Sequence, residues 1–500
     1  MQPGLLLPSQ RSSSPRSPLL FVFAMIVSVC LCAGCGSSGS ASSGMTLAGN
    51  TSVTLLLSST ANDQLTQFDL NFVSLTLTSQ SGKTVSLFAT TPYPNNFAEF
   101  IHLNGASEPF LIVSIPQDVY TSATATIGTS QFSCTNLDPA GNLNNSTFSY
   151  RDTPASDVTV NLPAPITVTG TAMGLALNLL VSKSASFANC DGNLAYGFDP
   201  YTITPTFNLT PVVFSSQPTN SENGRETGLQ GLIASVSGSS FAVASPDGPS
   251  WSVDTGETTA FQGISGASGL SAGMAIDMDV AIQTDGSLLA TRVAMLDANP
   301  TSLSLTAGPV DFVCYCQPSG NFVPLLQQGY LYSTGFGTGS EAFSFGTASF
   351  TISGQAANLQ SPPFNRVFNA ASMVPGQNLA YTFHATQIEG GPLYVPAATV
   401  TLMPQTINGT VQSTSSTGGF SSYTVSLAAY DLFPTLAVQA GQSSLLANPR
   451  TVTVYVDPRA QLLNSAPLAV GSVLRFTGLI FNDGGALKMD CSQVSDGVAE

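Results

Sequence analysis

Charge is scarce in this chain: only 8% of its 500 residues are Asp, Glu, Lys or Arg, and 12 basic residues face 28 acidic ones. The shortage of Lys and Arg, with a net charge of -16, excludes a nucleic-acid binder, because phosphate contacts need clustered cations. Histidine occurs only at His102 and His384, and tryptophan only at Trp251. So few imidazoles leave little from which to build a catalytic triad or a histidine metal site, and both histidines are read as structural. There is no His-Glu-x-x-His and no phosphate-cradling loop. Gly335-Phe336-Gly337-Thr338-Gly339 misplaces its third glycine for a dinucleotide fingerprint and reads as a hairpin loop. No cofactor is implied. From Thr51 onward no stretch sustains an amphipathic helical period, which argues against a helical fold.

What is present begins with a hydrophobic run from Leu19 to Ala33, behind Arg11 and Arg16, that closes on Leu31-Cys32-Ala33-Gly34-Cys35. A basic start, an apolar core shorter than the about 20 residues of a spanning helix, and a small-small-Cys ending describe an export signal. The segment resembles a bacterial lipoprotein signal, which implies cleavage after residue 34 and acylation of Cys35. A secretory signal cut near Ala33, or a retained anchor, are the alternatives. Gly36 in place of an acidic residue implies, by the same resemblance, sorting to the outer membrane. Residues 1–34 are therefore expected to be a signal peptide and residues 35–50, rich in Ser and Gly, a flexible tether. The expected location is the cell envelope, with the membrane as a partner through lipidated Cys35.

Short β-branched and aliphatic runs broken by Gly, Pro, Asn and Asp follow, so the fold class predicted is all-β. Val73, Leu75 and Leu77 alternate with polar residues, and similar strands recur through Gly174-Leu175-Ala176-Leu177-Asn178-Leu179-Leu180-Val181. About seven or more strands predict a β-sandwich over 51–213. The segments Gln67-Phe68-Asp69-Leu70-Asn71-Phe72-Val73-Ser74-Leu75-Thr76-Leu77 and Leu177-Asn178-Leu179-Leu180-Val181-Ser182-Lys183-Ser184 resemble a domain of unknown function, family 4382, of exported bacterial lipoproteins. Residues 214–227 lack hydrophobic periodicity and read as a linker.

An internal repeat comes next. The stretch Leu270-Ser271-Ala272-Gly273-Met274-Ala275-Ile276-Asp277-Met278-Asp279-Val280, with the turn Asp285-Gly286, has a counterpart in Leu468-Ala469-Val470-Gly471-Ser472-Val473-Leu474-Arg475-Phe476-Thr477-Gly478 with Asp483-Gly484. A middle copy runs from Met373-Val374-Pro375-Gly376 to Ala398-Thr399-Val400-Thr401-Leu402. These units resemble the domain of unknown function 5666, which implies small OB-like β-barrels at 228–298, 302–404 and 405–497. In such a barrel Ile276, Met278 and Val280 would fill the interior and Asp277 and Asp279 would point outward together. Two carboxylates on one face suit calcium, an acid and base pair, or a solvated face, and an acidic protein favours the last.

Outside the leader and Cys35, the cysteines are Cys134, Cys190, Cys314, Cys316 and Cys491. Export permits disulfides, with Cys134–Cys190 the simplest pair and Cys491 with Cys314 or Cys316 a second. Tyr330 and Tyr332 share a strand face, and Trp251 follows the turn Pro246-Asp247-Gly248-Pro249, so these rings are candidates for stacking on sugars. The sequence thus predicts an envelope protein that works by structure, adhesion or ligand binding, with envelope polysaccharide or protein as partner and no chemistry of its own. A carbohydrate-active enzyme with paired carboxylates is the alternative.

Overall fold

In the computed structural model the described residues are 47–60, 65–88, 98–134, 147–151, 156–186, 202–245, 250–298, 303–314, 321–324, 328–330, 343–344, 348–354, 359, 361–384, 395–417, 420–428, 432–437, 445–464 and 467–497. They are overwhelmingly strand; the α-helices among them are the short Val181–Ser184 and Leu432–Ala437. The all-β expectation holds. Residues Leu47–Glu500 form one compact unit.

Its first part faces two sheets across a core. One sheet has the order β7-β6-β1-β4, from β1 (Asn50–Thr60), β4 (Ser107–Pro116), β6 (Ala172–Leu180) and β7 (Phe207–Val212), with β1 parallel to β6. The other is built on β2 (Leu65–Ser79), β3 (Thr84–Phe88) and β5 (Asp118–Cys134), with four short strands on its flanks. Leu55, Leu57, Leu175 and Leu177 from the first sheet meet Phe72, Leu75, Leu77 and Ala125 from the second. Leu56, between two core leucines, points the other way and packs with Val212 and Phe214 into the next core. Because side chains alternate along a strand, the unbroken Leu55-Leu56-Leu57 requires that this sheet be covered on both faces.

The cover is a closed barrel of five strands: β8 (Arg225–Ser237), β9 (Ser240–Ala244), β10 (Ser250–Gln262), β11 (Ala275–Ile282) and β12 (Leu288–Asp297), in the order β8-β9-β10-β12-β11. Strand β10 runs parallel to β12, and the other pairings are antiparallel. The chain ahead of it, read as a linker, folds back on itself: Asn223 Oδ1 accepts the N–H groups of Thr219 and Asn220, and Gly224 turns the chain at φ 103.

After it come β13 (Leu303–Cys314), β14 (Asn321–Pro324), β15 (Ser349–Ile352), β16 (Asn378–His384) and β17 (Thr399–Leu402), which lie in one sheet along the path β15-β17-β16-β13-β14. This is the strand order of the first barrel, with the third strand again parallel to the fifth. Among the described residues, however, the second strand does not pair with the third, so the expected middle barrel is an open sheet. Residues 331–342 and 345–347 lie outside the described set. The last copy closes again: β18 (Gln405–Thr417), β19 (Phe420–Leu427), β20 (Thr451–Leu463), β21 (Val473–Asp483) and β22 (Ala486–Asp496), in the order β18-β19-β20-β22-β21. Among the described residues, then, the first and last of the three expected barrels are closed, and the middle one is a sheet on the same strand path.

Candidate functional site

Strand β11 is buried at all eight positions, which a strand on a barrel wall achieves only if something covers its outer face. Ile276, Met278 and Val280 do fill the barrel interior. Asp277 and Asp279 point away from it but are 0% and 1% exposed, which overturns the expected solvated face. Arg292, cross-strand from Asp279 on β12, lies between them. Its Nη2 reaches Asp277 Oδ2 and Asp279 Oδ1, both at 2.8 Å, and its Nε reaches Asp279 Oδ2 at 3.0 Å. Gly228 N donates to Asp279 Oδ1 at 3.1 Å, and the Ser353 hydroxyl, from the middle sheet, donates to Asp277 Oδ2 at 2.7 Å.

Burial opposes the Arg292 charge, but the two carboxylates outweigh it and hold the guanidinium firmly protonated. Two acids share one cation, so burial pushes Asp277 above the usual carboxylate range, against the pull of Arg292. No group of three or more metal-ligating side chains occurs among the described residues. Chemically, the arrangement is a buried ionic clasp between the barrel and the middle sheet.

The last barrel repeats the arrangement with different residues. Register places Gln230 and Gly231 of β8 opposite Asp277 and Ile276, and Asn408 and Gly409 of β18 opposite Arg475 and Leu474. Asp277, Asp279 and Arg292 therefore correspond to Arg475, Thr477 and Gln493. This second set also docks a neighbour, the 104–105 turn of the sandwich. Arg475 Nη1 meets Asn104 Oδ1 at 3.3 Å, Gln493 Nε2 donates to Gly105 O at 2.8 Å, and Thr406, paired with Thr477, donates to Asn104 O at 2.7 Å. In the middle sheet, Thr382 and Thr399 pair across β16 and β17, and Thr382 donates to Asp297 Oδ2 at the end of β12 at 2.6 Å. The outer face of the fourth and fifth strands is the docking surface in each copy.

Trp251 is 5% exposed, and its Nε1 donates to Pro109 O of β4 at 2.8 Å. Its ring belongs to the core shared by barrel and sandwich, so it is not a stacking platform: the indole fills the seam because the apolar first sheet needs a cover. Cys491 is also corrected. It is unbridged, lies in the last barrel's core and donates to Gln493 O at 3.1 Å, and burial pushes its thiol up to about 12. Cys35, Cys190, Cys316 and Tyr332, and the side chains of Cys134, Cys314, Tyr330 and His384, lie outside the described residues.

One cluster had no signature in the sequence. Glu99 Oε1 accepts the N–H groups of Phe68 and Ile101, and Oε2 accepts those of His102, from backbone and from Nδ1 at 2.8 Å. His102 Nε2 stands 3.7 Å from Glu108 Oε2, beside Ser107, whose hydroxyl donates to Glu226 Oε2 of β8. These acids are far apart in the chain, and Glu226 falls in the polar stretch read as a linker.

Residues 230–294, inside the first closed barrel, match the family model described as Domain of unknown function (DUF5666). No curated protein matches. Among solved structures, the glycoside hydrolase family 32 protein from Bifidobacterium adolescentis aligns over 89% of this chain and 67% of its own, at 12% identity and a TM-score of 0.12.

Proposed function

We propose that this is an envelope lipoprotein, anchored through acylated Cys35 and held at the outer membrane, that works as a rigid structural, adhesive or binding body. Its first domain, on this reading, is of the kind found in domain-of-unknown-function 4382 lipoproteins. The observation that supports a body without chemistry of its own is the use made of its acids. Asp277, Asp279, Glu99 and Asp490 are engaged in buried contacts, Asp277 and Asp490 of them across the seams between modules. Asp277 and Asp279, one carboxylate pair that a carbohydrate-active enzyme would have used, are instead engaged by Arg292. Burial of Trp251 also moves any polysaccharide contact elsewhere.

Two experiments test the reading. Cells expressing the full chain are fed labelled palmitate and fractionated; label is expected on the protein in the membrane fraction, and Cys35→Ala is expected to lose both label and membrane association. Label that persists in Cys35→Ala overturns the anchor. In the second, the full chain is assayed against glycoside substrates, and turnover abolished by Asp277→Asn would overturn the non-enzymatic reading.

A further inference from the structure

Glu226 stands where the first closed barrel meets the sandwich and is 1% exposed. The Ser107 hydroxyl of β4 donates to its Oε2, while Oε1 has no hydrogen-bond partner. A carboxylate removed from water with one hydrogen bond and no cation is costly to ionise, whereas the neutral acid fits the same place at small cost. The same seam carries an apolar cluster, with Leu56, Val212 and Phe214 of the sandwich packed against Trp251 and Val243 of the barrel.

We infer that protonated Glu226 is a latch, holding the barrel on the sandwich while the acid is neutral and loosening that seam once the carboxyl ionises. Opening hydrates the side chain and releases one proton to solvent. Burial pushes the closed-state value up to about 8, with the Ser107 hydrogen bond pulling back, whereas an exposed glutamate ionises near 4.5. Between those two values the closed seam binds one more proton than the open one. Each pH unit there therefore favours opening about tenfold, with no further change above or below the window.

The charged groups on the packed elements are accounted for separately. On the sandwich side they are Glu108 beside Ser107, then His102 and Glu99 behind it. On the barrel they are Arg225, one residue before Glu226, and Asp277 and Asp279, which close on Arg292. None of them is a hydrogen-bonding partner of Glu226. His102→Gln separates any contribution of the histidine from that of the latch.

Trp251 is the only tryptophan in the chain, and its indole N–H bonds across this seam, so one probe reads the latch directly. Hydrogen exchange of the Trp251 indole, corrected for the intrinsic rate, and acrylamide quenching of its fluorescence are followed on the full chain from pH 5 to 10. The opening constant is expected to rise about tenfold per unit and level off near pH 8. Glu226→Gln is expected to abolish the slope, and Ser107→Ala to move the plateau to higher pH. A flat wild-type profile, or an unchanged slope in Glu226→Gln, overturns the latch. Should Glu226→Gln fail to fold, the Ser107→Ala plateau decides alone, and an unmoved plateau overturns it.

Discussion

Arg292 shows how much a single residue carries when its partners are out of water. It neutralises one of two buried carboxylates directly and, through Asp277, meets the Ser353 hydroxyl of the neighbouring sheet. Arg292→Met keeps the bulk and removes the charge, leaving two uncompensated acids. A loss of about 3–5 kcal/mol at neutral pH is expected in denaturant unfolding. Without the arginine, the folded-state pKa of Asp277, which burial already raises against the pull of Arg292, would lie further above its unfolded one. The loss should therefore fade as the pH falls below the ordinary aspartate range and grow as it rises. Asp277→Asn and Asp279→Asn in the Arg292→Met background should recover most of the stability, by removing the same charges from the other side. Burial already pushes Asp277 up in the native protein.

At the scale of the element, the repeat is held to its shape by glycines at equivalent positions of the first strand. A Cβ on Gly231 would run into Val243 and Ala244 O of β9, and one on Gly409 into Val425 and Ser426 O of β19. Both sit two residues before a register shift, where the strand bends to close the barrel. Gly231→Ala and Gly409→Ala are each expected to cost about 2–4 kcal/mol, since the clash is with backbone that cannot move without breaking the ladder. Gly256→Ala is the control, because its Cβ would meet only Leu289 Cδ1 at 3.4 Å, and it should stay within about 0.5 kcal/mol of wild type by the same unfolding assay. The Gly-initiated hairpins and the alternating strands were legible in the sequence, because a two-residue period and a positive φ leave local marks. The parallel pairing of third and fifth strands was not, since it joins segments with no sequence proximity.

Among the described residues of Leu47–Glu500, the modules form a closed cycle of contacts. The sandwich meets the first barrel through Trp251 and Glu226, and that barrel meets the middle sheet through Asp277, Asp297 and a small apolar cluster with Leu232, Leu296 and Ala380. The middle sheet shares a core with Tyr455 and Phe481 of the last barrel, and Arg366 and Leu359 N bind Asp490. The last barrel returns to the sandwich at Asn104 and Gly105. Gly105 takes φ 72, and a Cβ there would lie 2.9 Å from Thr406 Oγ1. Gly105→Val should therefore break the cycle at its closing contact while leaving each barrel intact. Calorimetry is expected to separate an earlier transition from the main one, and small-angle scattering to show a larger radius of gyration. A single unshifted transition would mean that this contact does not hold the modules together.

Composition and periodicity by themselves determined the all-β class, the repeat and the barrel-lining set Ile276, Met278 and Val280. Those properties are set by side-chain period and turn chemistry, each local to its own stretch of chain. Only the tertiary structure decided that the outward acids of β11 are buried, that Trp251 is a seam residue, that Cys491 is unbridged and that Glu226 belongs to an interface. A period of two says which face of a strand a side chain takes but not what covers that face. The cover here comes from segments tens to hundreds of residues away, whose arrival turns a solvated aspartate into half of a buried clasp.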